Sequence, residues 1–421
     1  MPRVVCFGPG PRFKGGISNY NTSLAKAFDK KADIETYIIS WSQQYPAIVP
    51  RKFIDDKSKK DLLEGTRIKV EYLCDYNRPG TWRKTAKRIV ELNPDQVIIQ
   101  WYNAQQGIPL SHIRKYIESH CKAEVIFDLH FVVPKENSAI DTWFTKLGLK
   151  DVKHFIAHAY STVRELEALF PKEDFQVSET GEFKYGLRPK VTKLFHPIYD
   201  LFQADPKFDL AAFKKEHQLK EHVFLYFGFI RKYKGLHDAI RAFDLLAKER
   251  DDISFMICGE SFWNTLDQSK FSTKVKNALF SLVKAVFMKK EDDEKDYRPL
   301  ELIQELGLQD RVLLVNEFIP NEDVPHYFQC ADSIILFYER ATPSGVESLS
   351  YNFNLPILAT SVGHFPETIK DGFNGYLAKA GDVEDMQRVM NESIERPISR
   401  GNVKSSAEHM SWKRYVEALR S

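Results

Sequence analysis

Ser333-Ile-Ile-Leu-Phe337 leads into Tyr338-Glu-Arg-Ala-Thr-Pro-Ser-Gly-Val-Glu347, followed by Ser348-Leu-Ser-Tyr351 and the apolar Leu355-Pro-Ile-Leu358. The order reads as strand, tight loop of small residues, helix, strand. Such a turn places carboxylates and unpaired backbone N–H groups at the C-terminal edge of a parallel sheet, where open α/β folds bind ligands. Two glutamates eight residues apart, Glu339 and Glu347, flank the Pro343-Ser-Gly345 loop.

Strand-like runs alternate with helical patterns along the whole chain, the signature of parallel α/β sheets. One series comprises Val4–Phe7, Asp33–Ile39, Gln96–Ile99, Glu124–Phe127 and His154–Ala157. A second comprises Val223–Phe227, Ser254–Cys258, Val312–Val315, Ser333–Phe337 and Pro356–Leu358. At 421 residues the chain exceeds one ordinary core. Two doubly wound units are therefore expected, parting near Phe195-His-Pro-Ile-Tyr-Asp-Leu-Phe202. The terminal segment, with Trp412, Tyr415 and Val416 on one side, is expected to pack back on the first unit.

Apolar content of 43% and charged content of 28% are those of a soluble globular chain. No apolar run is long enough to span a bilayer, and the N-terminus lacks a signal-peptide pattern. The five cysteines are scattered without CxxC spacing, which suits buried thiols in a reducing cytoplasm rather than a zinc site. A net charge of +2 argues against a dedicated nucleic-acid binder.

Besides the glutamate pair, three clusters carry candidate chemistry. Gly15-Gly16-Ile17 opens a helix with apolar positions Ile17, Tyr20, Leu24 and Phe28, a cradle for phosphate or sugar hydroxyls or a plain surface turn. Gly8-Pro-Gly-Pro11 breaks the dinucleotide fingerprint, so a nicotinamide enzyme is disfavoured. Arg231, Lys232 and Lys234 follow a strand, where they can neutralise a diphosphate; a solvated basic turn is the competing reading, as for Lys84, Lys87 and Arg88. His130 closes the Val125–Leu129 run and can hydrogen-bond a sugar hydroxyl, though a lone histidine is more often structural, a caution that extends to His158, His196 and His364. The acidic pairs and runs at Asp55-Asp56 and 291–296 read as solvated.

Taken in order, Gly15-Gly16, His130, Phe227-Gly-Phe-Ile-Arg-Lys-Tyr-Lys-Gly235, Glu339-x7-Glu347 and Gly363-His-Phe-Pro-Glu-Thr-Ile-Lys-Asp-Gly-Phe-Asn-Gly-Tyr-Leu377 resemble the retaining, nucleotide-sugar-dependent glycosyltransferases of GT-B fold. The resemblance is densest from Val223 to Asp382. It implies two Rossmann-like domains facing across a cleft: 1–197 for the acceptor, 198–404 for the donor with an insertion at 262–300, and a helix at 405–421 returning to the first. It implies transfer of a hexosyl group to a sugar or lipid-linked acceptor in glycan assembly. By resemblance, Arg231 and Lys234 bind the donor diphosphate and stabilise the leaving group, and Glu339 contacts the transferred sugar. Glu347 holds the ribose, backbone N–H groups around Ser344, Gly345 and Val346 meet the phosphates, Gly15 and Gly16 approach from the facing domain, and His130 touches the donor sugar. No metal and no cofactor beyond the nucleotide-sugar co-substrate are implied. A sugar-nucleotide epimerase and a catalytically silent glycan-binding scaffold are the rival functions. Two departures from the family pattern stand out: Ala341-Thr342 replaces the usual Phe-Gly after the first glutamate, with the glycine at Gly345, and the base-contacting stretch reads Cys258-Gly-Glu-Ser-Phe-Trp263.

Within the insertion, Phe271, Val275, Ala278, Leu279, Leu282 and Val286 share one helical face, with Lys270, Lys274, Lys276 and Lys284 on other sides. A helix packed on its own domain and a basic amphipathic helix resting on an anionic membrane are the two readings, the second making 270–290 a peripheral membrane contact.

Overall fold

The computed structural model describes residues 1–46, 53–132, 139–184, 186, 188–261 and 297–420. The insertion helix expected over 264–290 lies outside the described residues.

Fourteen strands are described: β1 Arg3–Phe7, β2 Glu35–Gln43, β3 Lys69–Asp75, β4 Gln96–Trp101, β5 Glu124–Leu129, β6 His154–Ala157, β7 Gln176–Ser178, β8 Lys190–Lys193, β9 His222–Phe227, β10 Ile253–Cys258, β11 Val312–Val315, β12 Ser333–Leu336, β13 Ile357–Thr360 and β14 Gly375–Ala378. They form an eight-stranded sheet in the order β3-β2-β1-β4-β5-β6-β8-β7 and a six-stranded sheet in the order β11-β10-β9-β12-β13-β14. Every ladder is parallel. This is the α/β architecture of GT-B type that the motifs imply.

The central strands are apolar on both faces because helices cover both. In β1, Val4 and Cys6 face the helix Gly16–Asp29, whose Tyr20, Leu24 and Phe28 are fully buried; Val5 and Phe7 face the helices Pro79–Glu91 and Gly107–His120 through Ala86, Ile89, Leu110 and Ile113. The strand order reverses beside β1, between β2 and β4, and again beside β9, between β10 and β12. These are the switch points at which connecting loops splay apart and leave a crevice beyond the strand ends.

The two sheets meet along a seam of one continuous apolar cluster, with a buried polar set on the first sheet's side. The closing helix Trp412–Arg420 lies on the first sheet's helix Gly16–Asp29. Trp412 donates its indole N–H to the Ile198 carbonyl at 2.8 Å, and Ile198 donates to the Met410 carbonyl at 3.0 Å, so the 195–202 crossing is pinned from the chain's end. Beneath it the Tyr20 and Tyr415 hydroxyls are 2.6 Å apart and lie 2.9 and 2.8 Å from Asp128 Oδ2, while His158 Nε2 sits 2.8 Å from Oδ1. Burial works against the Asp128 carboxylate, yet His158, His130 and the Tyr415 hydroxyl hold its pKa below the usual carboxylate range.

Two further bridges hold the halves. Glu367 accepts the backbone N–H groups of Tyr160 and Ser161 at 2.8 and 3.0 Å, capping the helix Tyr160–Leu169 from the other sheet. Across the cleft mouth, Lys57 pairs with Glu317, and Ser58 Oγ accepts the Asn321 N–H at 2.9 Å. No helix among the described residues is long and apolar enough to cross a membrane.

Replacing Tyr415 with Phe removes a buried donor to Asp128 and leaves that carboxylate short of a partner. The expected cost is roughly 1–3 kcal/mol, read as a lower urea midpoint at unchanged m-value; an unaltered midpoint would show that the hydroxyl does not hold the closing helix.

Candidate functional site

Between the carboxyl ends of the two sheets lies a cleft of about 810 Å³, within the roughly 300–1,000 Å³ usual for small-molecule sites. Of the residues singled out from sequence, Gly15, Gly16, His130, Arg231, Lys234, Glu339, Ser344, Gly345 and Val346 all line it.

Two loops from the second sheet's switch point interlock. After β9 the chain makes a single 3-10 turn, Lys232–Lys234, and leaves it through Gly235 in the left-handed region at φ 63°. A Cβ on Gly235 would fall 1.9 Å from the Phe337 carbonyl oxygen, so only glycine lets this turn press on the end of β12. Glu339 then donates its N–H to the Tyr233 carbonyl at 2.8 Å. The basic turn and the first glutamate are thereby fixed as one unit. Lys234 is largely buried, its ammonium 5.7 Å from the Tyr338 ring centre. Glu339 remains two-fifths exposed, with His237 Nε2 3.7 Å from its Oε1. Burial lowers the His237 pKa, with Asp238 and Glu339 pulling the other way.

The glycine displaced to position 345 opens the helix Gly345–Asn352, with Ser344 as its cap: Ser344 Oγ accepts the Val346 N–H at 3.3 Å. Across the cleft, the helix Gly16–Asp29 starts at Gly15, φ 105°. Tyr199, from the crossing segment, lies between the two helix starts and donates its hydroxyl to the Gly16 carbonyl at 2.7 Å. A Cβ on Gly345 would come within 2.7 Å of the Tyr199 ring, and one on Gly16 within 3.9 Å of Gly345 Cα. Two positive helix ends therefore face one another with no side chain between them except Tyr199.

Glu347 is placed differently from Glu339. It is buried behind Ser344–Val346 and does not line the cleft; its Oε2 meets His364 Nε2 at 2.5 Å and its Oε1 accepts from Thr368 Oγ1 at 2.6 Å. His130 does reach the cleft, with Nε2 2.8 Å from Gln100 Oε1. Burial lowers its pKa to about 3 despite the nearby Asp128, so it is a neutral imidazole at physiological pH. His196 is lowered likewise by burial and by His158 and His130, and its Nδ1 is 2.6 Å from Ser348 Oγ.

Sequence reasoning did not single out Tyr199, His237, Tyr102, the Asn103–Gln105 turn or Asp141, all on or beside the cleft. His237 had one local signal, its place just after Gly235 at a helix start. Of the competing basic cluster, Arg88 is tied to Glu71 at 2.8 Å on the flank of the first sheet.

Residues 207–410 match the family model described as Glycosyl transferases group 1. Two curated relatives align over part of the chain. N-acetyl-alpha-D-glucosaminyl L-malate synthase of Bacillus anthracis is 23% identical over 197 residues, covering 45% of this chain and 42% of that protein. D-inositol 3-phosphate glycosyltransferase of Mycolicibacterium smegmatis is 29% identical over 133 residues, 28% of each. The chain thus spans less than half the length of the curated relatives it matches. Solved structures are similar over the whole chain. Anabaena HepE in complex with UDP-glucose gives a TM-score of 0.66 at 14% identity, covering 100% of this chain and 98% of that one. Sucrose-phosphate synthase of Thermosynechococcus elongatus gives 0.60 at 13%, covering 100% and 97%.

The depressed histidines predict acid sensitivity. As pH falls below about 6.5, the unfolded chain takes up protons that His130 and His196 refuse in the folded state. Each should remove up to ~1.4 kcal/mol of stability per pH unit. Urea midpoints at pH 7.5 and 5.5 check this; equal midpoints would mean these imidazoles are not buried and neutral.

Proposed function

The chain carries a glycosyl transferases group 1 domain in a fold of GT-B type, and on that premise we propose that it transfers a hexosyl group, with retention, from a nucleotide sugar to a sugar or lipid-linked acceptor in glycan assembly. The observation that carries this reading is the interlocked unit of Arg231, Lys234 and Glu339 beside the helix start at Gly345, with the helix start at Gly16 facing it across one cleft. Cations, helix ends and one exposed carboxylate around a small-molecule space suit a diphosphate bearing a sugar.

In this reading the diphosphate lies between Arg231, Lys234 and the N–H groups at 344–346, with Gly15 and Gly16 approaching from the opposite wall. Glu339 orients the sugar being moved. Glu347, assigned to the ribose by resemblance, is held by His364 and Thr368 behind the 344–346 turn and meets the ribose hydroxyls only by turning outward into the cleft. His130, neutral and sheltered, hydrogen-bonds the donor sugar without competing for its protons.

The bond from the anomeric carbon to the phosphate oxygen breaks as the acceptor oxygen approaches the same face, and the acceptor's proton passes to the departing phosphate. Charge grows on the diphosphate, so Arg231 and Lys234 stabilise the transition state more than the ground state. The reading calls for no metal, because these two cations meet that charge. A cytoplasmic enzyme acting on a lipid-linked acceptor at the membrane face is consistent with it.

A thermal-shift screen over UDP-, GDP- and ADP-sugars should find one donor that stabilises the protein, by about 2.7 kcal/mol at a hundredfold excess over Kd. With that donor, Lys234→Ala and Glu339→Ala should each lower transfer by roughly 100-fold or more, and NMR of the product should show the donor's anomeric configuration. Wild-type turnover in either variant, or an inverted product, would overturn the assignment.

A further inference from the structure

The cleft's two walls differ in charge. Every cationic side chain lining it among the described residues, Arg231, Lys232, Lys234 and Arg340, belongs to the loops of the second sheet. The wall supplied by the first sheet presents Asn19, Tyr102, Asn103, Gln105, His130 and Asp141. Five of these six are neutral amides, a phenol and an uncharged imidazole, which leaves Asp141 as that wall's charge among the described residues.

Asp141 is held there by close helix packing. It lies in the first turn of the helix Ala139–Leu149. Gly107, at the start of the next helix after β4, lies so near that an added Cβ would be 2.3 Å from the Phe144 carbonyl oxygen. Gly148 meets it from the other side, where a Cβ would be 2.5 Å from the Trp101 ring. The two glycines clamp the Ala139–Leu149 helix against the carboxyl end of β4, so its first turn overhangs the Tyr102–Gln105 loop. That loop is itself fixed: Tyr102 donates its hydroxyl to Gln44 Oε1 at 2.9 Å and accepts from Gln106 Nε2 at 2.8 Å, and Asn103 Oδ1 caps the turn through the Gln105 N–H at 2.9 Å. Among the described residues no hydrogen bond or ion pair reaches the Asp141 carboxylate, and burial raises its pKa without a compensating partner. A half-buried carboxylate left to face a cleft gains most from a ligand that donates two hydroxyls to it.

We propose that Asp141 is an acceptor-binding residue that selects a neutral sugar, gripping paired hydroxyls of the acceptor and rejecting acceptors that carry a phosphate or carboxylate. The inference rests on the glycosyl-transfer reading above and adds the class of acceptor to it. A diol fits the carboxylate's two oxygens; an anionic group brought to the same wall meets a like charge, with no cation among the described residues that line that wall. The donor's own diphosphate does not meet this charge, because it belongs to the cationic wall opposite.

The test uses the full chain with its identified donor and matched acceptors: 4-nitrophenyl glucoside and galactoside, neutral, against 4-nitrophenyl glucuronide and galacturonide. Nucleoside diphosphate release is measured above the level without acceptor. Release is expected with a neutral glycoside and at least tenfold less with its uronide. Asp141→Asn should raise KM for the neutral acceptor at least tenfold with donor KM changed less than twofold, and should narrow the preference over the uronide. A uronide used as well as its neutral partner, an unchanged acceptor KM in Asp141→Asn, or a panel that is silent while the donor still binds would each overturn the inference and leave the proposed function standing. Failure of every nucleotide sugar to bind would instead overturn the proposed function. The wild-type comparison decides the matter even where the variant does not fold.

Discussion

The contact on which the rest of the site depends is the approach of two helix starts, Gly16 on one sheet and Gly345 on the other, with the Tyr199 ring between them. Each helix carries about half a positive charge at its start, and two such ends repel unless something negative or polar sits with them. The Tyr199 hydroxyl is committed to the Gly16 carbonyl and does not neutralise either end. A side chain at Gly345 would run into the Tyr199 ring, whereas a Cβ on Gly16 would rest in ordinary contact with Tyr199 and Gly345. The two helix starts leave a space beside them that favours an anion. Arg231 and Lys234 add charge from the side, and the Tyr233–Glu339 backbone bond sets how far the carboxylate stands from them.

Holding two repelling helix ends together has to be offset elsewhere. The buried set of Tyr20, Asp128, His158 and Tyr415, with the Trp412 anchor on Ile198, ties the last helix of the chain across the seam. A carboxylate buried in this way is stable only because its oxygens are fully engaged. His130 stands next to this set and inherits its dryness, which keeps the imidazole neutral. The cleft thus has an electrostatically active side, supplied by loops after β9 and β12, and a quiet side after β1, β4 and β5. Donor and acceptor chemistry separate naturally onto these two sides.

Much of this was legible in the sequence because the central strands are unbroken runs of Val, Ile, Leu and Phe, as both-face burial demands. Strands β3, β7, β8 and β14 were not read. Lys69-Val-Glu-Tyr-Leu-Cys-Asp75 is half-exposed and mixes charge with apolar residues; Gln176–Ser178 and Lys190–Lys193 are short and polar, and Gly375-Tyr-Leu-Ala378 begins on a glycine. The motif residues near a strand end, Arg231, Lys234, Glu339 and His130, were legible because loop position in an α/β fold follows from strand position. Tyr199 and Asp141 were not, since nothing near them in sequence shows that a crossing segment threads between two glycines or that Gly107 and Gly148 clamp a helix. The eight-residue spacing of the glutamates proved informative in an unexpected way: one helical turn separates the cleft-facing Glu339 loop from a Glu347 that is already held by His364 and Thr368.

The measurement that bears most directly on this account is a crystal structure of the chain with the nucleoside diphosphate of its donor. The account predicts the β-phosphate within hydrogen-bond distance of a backbone N–H at 344–346, with the Arg231 guanidinium and Lys234 ammonium on its flanks and Gly16 facing it. A nucleotide bound with its diphosphate away from both helix starts would contradict it.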